Sequence, residues 1–153
     1  LRSLTLTHRR AIDRSKESLV AAAEKLLDDA NVTKLRQKDF GHSQIRNLIA
    51  IALETESPAV VTNFIRYQMG RDKPGKSWSS SVAGKRLGDR FIHEIDTGAV
   101  KEALETIVDV KKDPDLVPLV RIELIRHFLG FASRYLKFLD LQRHGAEGEG
   151  EAA

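Results

Sequence analysis

The 153-residue chain contains no cysteine. That absence removes a disulfide framework, a thiolate zinc site and a cysteine nucleophile from consideration. Methionine and tryptophan occur once each, and only 6% of the residues are aromatic. Long apolar runs are also missing. Every candidate is interrupted by Arg, Lys or Glu short of the roughly 18–20 residues that a bilayer demands, so no membrane span is expected. Leu1 to Arg10 holds no apolar core of signal-peptide length. Neither sign of charge dominates, since 25 Lys and Arg stand against 22 Asp and Glu, leaving a net charge of +3.

What is present suffices for a packed domain. The 41% apolar content can bury a core without covalent or metal staples, and the length suits one domain, expected over 1–142. Beyond Gln142 the sequence turns to Gly, Ala and Glu with no bulky apolar residue, so 143–153 reads as a disordered tail.

The apolar residues repeat at helical intervals through most of the chain. Ile12, Leu19, Ala23, Leu26 and Ala30 mark a first long helix from Arg10 to Ala30, and Thr33 to Gly41 a connector. Ile45, Leu48, Ile49, Ala52 and Leu53 mark a second helix, with Arg46 and Asn47 on its other side. Ser57-Pro58 is a start signal for a third, carried by Val61, Phe64, Ile65 and Met69 as far as Gly70. Residues 71–81, RDKPGKSWSSS, read as a mobile polar loop. Val82, Leu87, Phe91, Ile92 and Ile95 indicate a fourth helix, and Ala99, Ala103, Leu104, Ile107 and Val108 a fifth. Pro114 and Pro118 announce a long last helix striped by Leu119, Ile122, Ile125, Leu129, Ala132, Leu136 and Leu139. No β-alternation is sustained. The expected fold is all-α, a compact bundle of about five to six helices with a long C-terminal helix.

Among chemical motifs, GRDKPGKS at 70–77 satisfies the pattern of a nucleotide-binding P-loop. Such a loop needs a strand before its first glycine and a helix beginning at its lysine. Here a helical period precedes Gly70, and Trp78 with three serines follows, so the reading as a nucleotide hydrolase is the weakest of three. His8, His42, His93, His127 and His144 share no helical-face spacing, no serine sits in a nucleophile elbow, and the carboxylate pairs lack an apolar setting. No catalytic residue, metal site or cofactor is expected.

The informative constellation is cationic. Seven cations against two carboxylates lie between Arg66 and Arg90, a local excess of five. Together with Arg46 they make a candidate RNA-binding face of Arg46, Arg66, Arg71, Lys73, Lys76, Lys85, Arg86 and Arg90. On this reading Lys85, Arg86 and Arg90 share one side of the fourth helix, and Trp78 with Ser77 and Ser79 offers a stacking ring and hydrogen bonds. The competing reading is a helical protein-interaction module that docks through the last helix and Trp78 without nucleic acid.

At Ser43-Gln44-Ile45-Arg46, and again at Tyr67-Gln68-Met69-Gly70-Arg71, the sequence resembles the small-subunit family of type III-A CRISPR effector complexes. The aromatic-rich stretch from Phe128 to Phe138 matches that family's last helix, so the resemblance spans about Gly41 to Leu139. It implies a non-catalytic, cytoplasmic structural subunit that stacks in several copies along the duplex of guide RNA and target RNA, beside the other subunits of the complex. It further implies that Arg46 and Arg71 contact phosphates, while Ser43, Gln44 and Tyr67 cap and pack the helices that hold them.

Overall fold

The computed structural model describes residues 2–35 and 40–152, and it is all-α with a long C-terminal helix. Eight helical segments occur among the described residues: α1 Leu6–Arg14, α2 Lys16–Asp29, α3 Val32–Leu35, α4 His42–Glu54, α5 Pro58–Arg71, α6 Leu87–Asp96, α7 Ala99–Ile107 and α8 Val117–Ala152. Since α1 and α2 are separated only by Ser15 and α3 is a single turn, the bundle has six substantial helical rods. The expected first helix is thus interrupted. Ser15 turns its hydroxyl back onto the Ala11 carbonyl at 3.0 Å, a local bond that competes with the helical ladder.

The long helix α8 is the axis of the molecule. It packs against α2, α4 and α7 and also touches α1, α3 and α5. That surround explains its broad buried stripe, in which Val120, Leu124, Ile125, Phe128, Leu129, Ala132 and Leu136 are fully enclosed. One buried cluster extends from Ile12 to Leu136. The disordered tail expected over 143–153 concerns residues whose side chains lie outside the described set. Among the described residues, no helix is long and apolar enough to cross a membrane.

Two expectations about the middle of the chain are corrected. Residues 71–81 are not a free loop, because Ser77–Ser79 form a 3₁₀ turn that buries Trp78 to 1% exposure. Its ring stands edge-on to Phe40 and Phe91, each at 5.2 Å between centroids, and Phe91 continues the chain to Phe128 at 6.1 Å. Edge-to-face contacts add to ordinary burial, so this segment is anchored through the largest side chain it has.

The second correction concerns the fourth helix. It begins at Leu87, and the residues before it form a two-stranded antiparallel hairpin, β1 Ser81–Val82 paired with β2 Lys85–Arg86. Ala83 and Gly84 turn the hairpin with φ of 54° and 76°, the left-handed pair that a two-residue turn of this hand requires. α6 then crosses α5 closely at Gly88, where a Cβ would stand 2.5 Å from Met69 Sδ and 3.0 Å from Ile65 Cγ2.

Candidate nucleic-acid interface

Helices α4 and α5 are joined by the short turn at 55–57 and packed together, so they form an antiparallel hairpin. Their inner stripes, Ile45, Leu48 and Ala52 on one and Val61, Thr62 and Ile65 on the other, are buried. Solvent therefore sees Ser43, Arg46, Asn47 and Ala50 of α4 and Asn63, Arg66, Tyr67, Gly70 and Arg71 of α5. Arg46 and Arg66 lie equally far in sequence from the connecting turn, which sets them at the same level of the hairpin. The two helices themselves contribute no carboxylate to this surface until Glu54 and Glu56 at its tip, although Asp96 of α6 comes within 3.8 Å of Arg66.

A side chain that sequence reasoning missed fixes the turn. Arg126 of α8 donates Nε to the Ala52 carbonyl at 2.8 Å and Nη2 to the Thr55 carbonyl at 3.0 Å, while Nη1 meets Glu123 at 2.7 Å. Carbonyls in the last turn of a helix have no intrahelical partner, and a guanidinium there also complements the negative end of the dipole. At the other end of α4, the side-chain oxygen Oε1 of Gln44 accepts the Gly41 amide at 2.8 Å, which caps the helix. His42 Nε2 lies 3.1 Å from Asp140 Oδ2 of α8.

The eight predicted cations do not form one uniform face. Arg46 and Arg71 are exposed and have no ion-pair partner among the described residues. Arg66 approaches Asp96 only at 3.8 Å, with both side chains largely in water, a contact of little strength that a phosphate can displace. Lys73 is exposed and Lys76 half-buried on the segment anchored by Trp78. The remaining three do not share one side of a helix, since only Arg90 belongs to α6. Lys85 and Arg86 are on β2, and Arg86 Nε is bound to Asp89 at 2.7 Å. Arg90 donates Nη2 to the Val82 carbonyl at 2.8 Å and so fastens the hairpin to α6.

Lys85 and Arg90 also border a cleft of about 890 Å³ between α2, α6, α7 and the hairpin turn. Lys25, Asp29, Asp89, Glu94 and Glu102 share that border, so its charges are mixed and it offers no single sign to a polyanion.

No family model, curated protein or solved structure matches this chain. What its residues can do must be argued from their own chemistry. Trp78 cannot serve as an exposed stacking ring or as a docking residue, because it is in the core. The P-loop geometry is absent as well: Gly70 lies within helix α5, the lysine and serine lead into a 3₁₀ turn, and the only sheet among the described residues is the small antiparallel hairpin. The histidines are scattered. His8 caps α1 through Thr5, His93 meets Thr97, and His127 stacks on Phe131, while the His144 side chain lies outside the described residues. Among the described residues, no group of His, Asp and Glu could hold a metal ion.

The resemblance had assigned Tyr67 to packing. Instead the residue is 58% exposed, one turn before the end of α5.

Proposed function

We propose that this protein is a non-catalytic, RNA-binding structural subunit of a type III CRISPR ribonucleoprotein, contacting guide or target RNA through the α4–α5 face. The observation that supports the reading is the joint exposure of Arg46, Arg66 and Arg71 on two packed helices, with Asp96 of α6 the one carboxylate within 4 Å of any of these three guanidinium groups among the described residues. The two sequence motifs of the resemblance lie at the start of α4 and the end of α5, and so on this same hairpin. Guanidinium groups bind phosphate oxygens in a bidentate fork, and their release of counterions makes the association independent of sequence and sensitive to salt.

A second reading, a protein-docking module, is favoured by one observation: Phe138 and Leu141 are 48% and 70% exposed, one turn apart on α8. Trp78, which that reading also required, is unavailable to a partner.

Fluorescence anisotropy with a labelled RNA, titrated at several salt concentrations, separates the two. The RNA reading expects affinity to fall steeply with salt, and the Arg46→Ala, Arg71→Ala double variant to bind much more weakly with a shallower salt slope. Absence of RNA binding at low salt, or indifference to both substitutions, would overturn it in favour of protein docking.

A further inference from the structure

The α4–α5 face holds more than charge. An isolated exposed aromatic residue is ordinary and calls for no explanation. Tyr67 differs in what surrounds it. Its ring has no aromatic partner and its hydroxyl no hydrogen bond among the described residues, whereas Tyr135, the other tyrosine, is stacked on Phe138 and bonded to Asp28 at 2.8 Å. On helix α5 its neighbours on the same face are Asn63, Gly70 and Arg71, with Arg66 beside it.

Gly70 is the informative neighbour. Helical side chains lean toward the N-terminus, so a side chain at 70 would cover the surface around Arg66 and Tyr67. A Cβ there would meet nothing within 4 Å, so no crowding demands glycine, and glycine inside a helix costs about 1 kcal/mol relative to alanine. Its effect is to leave the approach to the Tyr67 ring bare. Arg66 and Arg71 of the same helix then flank an open aromatic surface, and α4, packed on α5, exposes a further guanidinium at Arg46.

From this arrangement we infer that Tyr67 is a stacking platform for an unpaired RNA base, so that the α4–α5 face selects single-stranded or looped RNA over a continuous duplex. The inference rests on the RNA-binding reading above. Its chemistry is distinct, because phosphate contacts alone treat both forms alike in kind, whereas the face of a paired base is covered by its neighbours in the helix and only an unstacked base can lie on the ring. The arginines fix the backbone on both sides, and the Asn63 amide is placed to donate to or accept from a base edge.

The test uses the full chain and two probes: a single-stranded RNA carrying one 2-aminopurine, and the same strand annealed to its complement. The wild type is expected to bind the single strand more tightly and to change its 2-aminopurine fluorescence. Tyr67→Ala should weaken single-strand binding about tenfold and leave duplex binding unchanged, and Tyr67→Phe should restore it. Gly70→Leu, which suits a helix, should reduce single-strand binding by covering the ring, with circular dichroism verifying the fold of each variant. If Tyr67→Ala matches the wild type on both probes while Arg46→Ala with Arg71→Ala loses both, the stacking role is overturned and the RNA reading stands. If the wild type binds neither probe, the RNA reading fails and takes the stacking role with it.

Discussion

At the scale of single residues, the structure separates side chains that sequence places together. Tyr67 and Trp78 both stood near arginines and lysines, yet one is in water and the other in the core. Nothing local distinguishes them. Trp78 is buried because Phe40 and Phe91, distant in sequence, enclose it, and a polar run such as SWSSS gives no sign of those partners. The arginines were easier to read, since Arg46, Arg66 and Arg71 fall on the polar side of a clear helical stripe.

His127 makes a prediction at this scale. Burial lowers its imidazole pKa below the ordinary value, Lys16 and Arg134 add to the effect, and Glu123 opposes it. The unfolded chain therefore takes up the proton first as pH falls, and protonation works against the fold. This contribution is absent well above pH 6.5, and stability declines as pH drops from there toward the lower folded-state value, below which the penalty is complete. Thermal melts of the wild type and His127→Gln at about pH 7.5 and pH 5 provide the check, with the wild type expected to lose more. Equal losses would show that His127 carries no such linkage.

At the scale of elements, periodicity located α4, α5, α7 and α8 but misread what precedes α6. Val82 and Leu87 fit a helical interval by accident, and strands of two residues are too short to show alternation. Only the backbone at Ala83 and Gly84, which no apolar pattern encodes, reveals the hairpin. The Arg126 anchor was equally illegible, since its acceptors are backbone carbonyls more than seventy residues away. Arg126→Ala should destabilise the protein by about 2–3 kcal/mol in urea unfolding, because it removes charge-assisted bonds and leaves the α4 carbonyls short of partners. Arg126→Lys should recover only part of this, as an ammonium lacks the fork that spans two carbonyls and a carboxylate. A loss below about 0.5 kcal/mol, the range of ordinary surface substitutions, would refute the anchor.

At the scale of the whole molecule, α8 and the aromatic chain from Phe40 through Trp78 and Phe91 to Phe128 tie the connector before α4, the anchored segment, α6 and α8 into one buried cluster. Trp78 is the only tryptophan, so its fluorescence reports on that cluster alone. Urea unfolding followed by Trp fluorescence should coincide with unfolding followed by helical circular dichroism, and separated midpoints would reveal independently melting parts. Addition of RNA should leave the Trp fluorescence unquenched, since the ring is out of reach of any base.

The anchoring of residues 72–80 reaches beyond stability. Asp72 accepts the Trp78 amide at 3.0 Å, and the Ser79 hydroxyl, within bonding distance of the Lys73 and Lys76 carbonyls at 3.0 and 2.8 Å, closes the bend on itself. Lys73 and Lys76 are thereby carried on a shape set during folding. If RNA binds here as proposed, association should proceed as a docking of preformed surfaces, with a heat-capacity change by calorimetry free of the large negative contribution that accompanies folding upon binding.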